Sequence, residues 1–192
     1  MLKPQDVLVT LKILALDEAV KSHSFSSLAN SLGISVSETH AAVNRAVQCR
    51  LLSSTRIGDR RRSALPSALI GHLLRFVENG LPYMLPAERG TVVLGVPTGI
   101  GASPLRDVLV VGAEELLPVW QSNAGNCTGI SLKPIFRSCP FAAANDPQLY
   151  RLLSLVDAIR DEGVRQKQVA INLFVEETHA ISARIRLLVA AS

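Results

Sequence analysis

Ser37, His40, Ala41, Asn44 and Gln48 stand three or four residues apart, the spacing that brings side chains to one face of a helix. They are polar or methyl-sized, and no ladder of Lys and Glu marks the face as one meant only for water. An amide such as Asn44 can bond an adenine edge through two hydrogen bonds, and Ala41 can meet a thymine methyl. His40 and Gln48 can donate or accept, while Ser37 and Arg45 suit phosphates. Glu38 can accept from cytosine, although a helix-capping role is the simpler assignment. Downstream, Arg60 lies in a Gly58-Asp59-Arg60 turn that Arg56, Arg61 and Arg62 flank. Arginines at a hairpin tip grip a nucleic-acid backbone or enter its minor groove, adding affinity more than specificity. The plainer alternatives are a solvated basic loop and a face for protein contact.

Other chemistry is harder to assemble. The four histidines (His23, His40, His72, His179) and three cysteines (Cys49, Cys127, Cys139) contain no C-x-x-C or H-x-x-x-H pair, so no metal ligand set is expected. Glu176 and His179 have the spacing of half a di-iron site, but it occurs once and a surface helix explains it. Gly95 to Gly101 is glycine-rich without the Lys-Ser/Thr of a phosphate-binding loop, and reads as a turn. No G-x-S-x-G is present. The expectation is a chain without catalytic residues or cofactor. Cys49 lies at the end of the polar-faced helix, where oxidation would disturb docking, and Trp120 and Tyr150 are read as core residues before pocket linings.

The elements that must position the polar face are legible nearby. Apolar residues from Leu8 to Leu16 predict a helix over about residues 5–20. Residues 26–32 predict a short helix stopped by Gly33, with Ile34 as the buried turn residue. Ser35-Val36-Ser37-Glu38 is a Ser-x-x-Glu capping box. It opens a helix to about Arg50, with Val36, Thr39, Val43, Ala46 and Val47 as its inner stripe. Strands are predicted at 51–57 and 61–65, then a helix from Pro66 to Asn79.

The order of helix, Gly turn, helix and arginine-tipped hairpin is that of a winged helix-turn-helix. The stretch LANSLGISVSETHAAVNRAVQCRLL resembles the bacterial winged-helix transcriptional regulators, MarR-like ones in particular, over about residues 5–80. Arg50 stands where that family often has Gly, and Val47 where a charge is common. The resemblance implies that the helix at 36–50 enters the major groove of double-stranded DNA.

The remainder has a different texture. Leu81 to Pro86 reads as a linker, and glycines and prolines crowd residues 88–140. Strands are predicted at 91–96, 118–121 and 128–135, the last two joined by a turn at 123–126, and a short helix after Ser103-Pro104. Further helices are predicted from Asp146-Pro147 to Gly163 and over 164–189, with a break near Thr178. ERGTVVLGVPTG, PVWQSNAGNCTGISLKPIFRSCP and DPQLYRLLSLVDAIR resemble the C-terminal part of small bacterial regulators associated with nucleotidyltransferase-like toxins.

Composition bounds these expectations. The 192 residues carry 20 Lys/Arg and 16 Asp/Glu, a net charge of +4. Residues 1–80 hold ten basic and six acidic residues, and six of the ten lie between Arg45 and Arg62 with only Asp59 opposing them. A local excess of this kind suits a polyanion. Aromatics at 4% argue against an RNA surface built on ring stacking. No apolar run reaches the roughly 18 residues of a membrane span, and the first residues do not read as a signal peptide. Three scattered cysteines argue against a secreted disulfide framework, which leaves the cytoplasm as the expected compartment.

The sequence therefore predicts an α+β chain: a winged helix-turn-helix at 1–80, and a second α+β domain for dimerisation or partner binding at 81–192. The function expected is a homodimeric repressor of transcription, and the resemblance adds an autoregulating antitoxin whose partner toxin is encoded nearby. The alternative is a protein–protein adaptor that neutralises a partner enzyme without reading DNA.

Overall fold

The computed structural model describes residues 1–16, 23–54, 65–110, 112, 115–161 and 163–190. The chain is α+β, with helices and a small three-stranded sheet. The first helix, α1 (Pro4–Ala15), is buried along its whole middle, from Asp6 to Leu14. A helix apolar on nearly every side belongs inside a structure, and α1 packs against α3 (Val36–Gln48) on one side and α8 (Pro147–Asp161) on another. Lys12 near its end reaches Asp146 Oδ2 at 2.7 Å, while Asp146 Oδ1 caps α8 by accepting from the Leu149 N–H at 2.9 Å.

Between these lies α2 (Phe25–Leu32), capped at its start by Ser24, whose hydroxyl accepts from the Ser27 N–H. Beyond α3 the chain turns at Arg50, and residues 51–53 pair antiparallel with 67–69. Ser53 N–H donates to Ser67 O at 2.8 Å, Leu69 N–H to Leu51 O at 2.9 Å, and Leu52 bridges Ala68. The helix expected from Pro66 starts only at Ile70 (α4, Ile70–Asn79), because the backbone at 67–69 is engaged in this pairing. The segment read as a linker contains one helical turn, α5 (Leu81–Met84), with Leu81 fully buried.

The sheet consists of β1 (Arg89–Pro97), β2 (Pro118–Gln121) and β3 (Cys127–Leu132). β2 and β3 follow one another through the expected turn, but they do not form a hairpin. Both run antiparallel to β1, with Val96 opposite Trp120 and Val93 opposite Gly129, and the start of β2 meets the end of β3 in parallel, closing a three-stranded ring. This closure explains the glycines. A Cβ on Gly129 would overlap the Leu117 carbonyl oxygen, and one on Gly125 would overlap the backbone of Gly95. Only glycine allows backbones to approach so closely.

A 3-10 turn at Gly99–Gly101 and the short α6 (Leu105–Val108) follow β1. α7 (Cys139–Ala144) precedes α8 and was not apparent in the sequence. The last helix, α9 (Val164–Ala190), is continuous through Thr178, whose buried hydroxyl bonds back to Val175 O at 2.9 Å within the helix. Residues on both sides of Gly80, from Val7 to Ile181, contribute to one apolar cluster.

Candidate nucleic-acid interface

The polar-faced helix is set by short-range chemistry. Gly33 ends α2 with φ +64°, a left-handed conformation that favours glycine, and its N–H bonds back to α2 carbonyls. Two residues later Ser35 caps α3. Its hydroxyl accepts from the Glu38 N–H at 3.1 Å, and Glu38 Oε2 accepts from the Ser35 N–H at 3.2 Å and hydroxyl at 3.0 Å. The Ser35 backbone and side-chain donors, with a smaller contribution from the charge of Arg137, hold the Glu38 carboxyl below its ordinary range. Glu38 is committed to the cap, as its spacing predicts.

α3 buries Thr39, Ala42, Val43 and Ala46. Ala42 thus takes a place assigned to Val36, which stands 40% exposed in the first turn and borders the outer face. That face carries Ser37, His40, Ala41, Asn44 and Gln48, all exposed. Among the described residues, the side chains of Ser37, Asn44 and Gln48 make no hydrogen bond to protein groups. The His40 ring stacks on Phe25 of α2, with centroids 3.7 Å apart and planes 15° apart. One ring face is therefore covered and its nitrogens are presented at the edge.

Arg45 departs from the reading as a phosphate contact. It turns inward, donating from Nε to Asp6 Oδ2 at 2.8 Å and from its terminal nitrogen to Asp6 Oδ1 at 2.6 Å. Asp6 is fully buried and also accepts from the Lys3 N–H at 2.7 Å, so the guanidinium serves as its counter-charge and locks α3 onto α1. The adjacent carboxylate raises the Arg45 pKa, chiefly through these hydrogen bonds. Arg56, Arg60, Arg61 and Arg62 lie outside the described residues.

Cys49 is exposed at the end of α3, and Arg50 follows with φ +57°, its carbonyl 2.9 Å from His72 Nδ1 of α4. Glu176 and His179 are exposed on α9. Among the described residues, no three His, Cys, Asp or Glu side chains gather as a metal site would require, and no helix is long and apolar enough to cross a membrane.

A second polar cluster lies deep inside. Asp157 of α8 accepts from the Thr98 hydroxyl at 2.7 Å and Trp120 Nε1 at 2.6 Å on one oxygen, and from Arg160 Nε at 3.0 Å on the other. Burial pushes its carboxyl up, and the charge of Arg160 and the three donors pull it back. Tyr150 packs edge-on to Trp120, with centroids 5.9 Å apart, and donates its hydroxyl to Pro97 O at 2.6 Å. The neighbouring Cys139 thiol is pushed up by burial, which leaves it a packing residue. Thr98, Trp120, Tyr150 and Arg160 all find acceptors, so this cluster clasps the sheet to α8 and leaves Trp120 in the core.

No family model, curated protein or solved structure matches the chain.

Proposed function

We propose that this chain is a sequence-specific, double-stranded DNA-binding repressor in which α2, the Gly33 turn, α3 and the following hairpin act as a winged helix-turn-helix. The observation that carries the reading is the outer face of α3. Ser37, Ala41, Asn44 and Gln48 are exposed on one side of a firmly capped helix, with polar groups unspent on the protein. Such a face suits base edges in a major groove. The resemblance of about residues 5–80 to MarR-like regulators supports it, and the basic run up to Arg62 supplies charge for the phosphates. A homodimer fits the two-fold symmetry of operators that such proteins read. The resemblance of the C-terminal strings extends the proposal to an autoregulating antitoxin working in the cytoplasm beside a toxin encoded nearby. The proposal assigns the chain no catalysis and no cofactor.

One observation favours the adaptor as second reading. With Arg45 spent on Asp6 and Glu38 at the tip, α3 itself offers little positive charge, as a protein-binding face would.

Two substitutions test the division of labour. Asn44→Ala costs about 1–3 kcal/mol on the selected site and relaxes preference at one base position. Arg61→Ala weakens binding to every duplex and flattens the salt slope by about one unit. Equal losses on selected and random DNA for both variants would sink the assignment, and co-purification of a partner protein without DNA retention would favour the adaptor.

A further inference from the structure

The segment leaving β3 runs beside the turn between α2 and α3. Phe141 of α7 covers Gly33, where a Cβ would lie 2.9 Å from Phe141 Cδ1. Ile135 and Cys139 are buried in the core and the Cys139 N–H donates to Phe136 O at 3.0 Å, so the intervening residues are fixed at both ends. Arg137 stands exposed between these anchors, its guanidinium carbon 5.9 Å from the Phe136 ring centroid. Among the described residues it makes no hydrogen bond and no ion pair. It is nonetheless near enough to the first turn of α3 for its charge to act on Glu38.

The cap of α3 brings a carboxylate to the end of the helix that would approach DNA, where phosphates repel it. Arg45 does not offset that charge, being tied to Asp6. Arg137, exposed beside the α2–α3 turn and acting on Glu38, is placed to do so. We propose that Arg137 is a phosphate contact of the DNA interface, so that the segment between β3 and α7 extends the surface formed by α3. The inference rests on the DNA-binding reading and adds a residue from outside the N-terminal third. A planar guanidinium on a segment held between two buried anchors suits a phosphate oxygen pair, whereas a lysine would offer a point charge on a flexible stem.

The test compares the unaltered chain, Arg137→Ala, Arg137→Lys and Asn44→Ala on a selected duplex and on random duplex across a salt series. Arg137→Ala is expected to lose roughly five- to tenfold in affinity near 0.1 M salt, with a salt slope lower by about one unit and an unchanged ratio of selected to random binding. Arg137→Lys is expected to recover the slope. An Arg137→Ala variant matching the unaltered chain in affinity and slope, while Asn44→Ala loses discrimination, would overturn the inference and leave the DNA reading standing. No binding of the unaltered chain to either duplex would overturn both.

Discussion

Arg160→Ala destabilises the folded chain by about 3–5 kcal/mol, the cost of breaking a buried ion pair from one side. Arg160 and Asp157 expose only 3% and 2% of their side chains. The guanidinium does more than neutralise the carboxylate. It also donates to Leu85 O at 3.3 Å and Pro86 O at 3.4 Å, and to the Lys133 carbonyl, binding the segments on either side of the sheet to α8. Without it Asp157 keeps the Thr98 hydroxyl and the Trp120 indole but no counter-charge, and burial drives its pKa further upward.

The sign of the pH effect follows. A carboxyl raised in the folded state contributes stability fully below its unfolded pKa of about 3.9, and loses it as pH rises through the folded value. The defect of Arg160→Ala is therefore smaller near pH 4 than near pH 8, and adding Asp157→Asn removes that dependence. The single tryptophan, Trp120, sits inside the cluster, so its fluorescence during denaturant unfolding reads the change directly. A variant within about 1 kcal/mol of the parent at neutral pH would contradict the clasp.

Arg45→Ala loses about 3 kcal/mol of stability for the same reason, since Asp6 is fully buried and would keep only the Lys3 N–H. Here the measurement also separates two roles for one residue. As a counter-charge to Asp6, Arg45 matters to unfolding, and adding Asp6→Ala restores part of the loss. The salt slope of DNA binding by the folded variant is unchanged. Unaltered stability with a slope flattened by one unit would return Arg45 to the phosphates.

Local chemistry made the α2–α3 region legible. Gly33 and the Ser35–Glu38 box act within three residues, and alternation of buried and exposed positions along α3 follows from helical spacing. What escaped depended on distant partners. Arg45 looked like one more arginine of a basic run because Asp6 lies 39 positions away. Phe141 reaches the α2–α3 turn from α7, whose six residues are too few for a periodic pattern, and Arg137 lies just before that helix. Gly95 and Gly125 read as turn residues and Gly129 as part of a strand, yet all three serve backbone crossings in the closed ring, which no window of local sequence contains. The strand at 118–121 was legible from its composition, but its partner, β1, was not.

DNA reading by this chain is decided by binding of the purified chain to DNA upstream of its own gene and to random duplex, at about 50 and 200 mM salt. Paired half-sites about one helical turn apart are expected, with preference for the upstream site persisting at the higher salt. Equal binding to both duplexes that vanishes together as salt rises would contradict that reading.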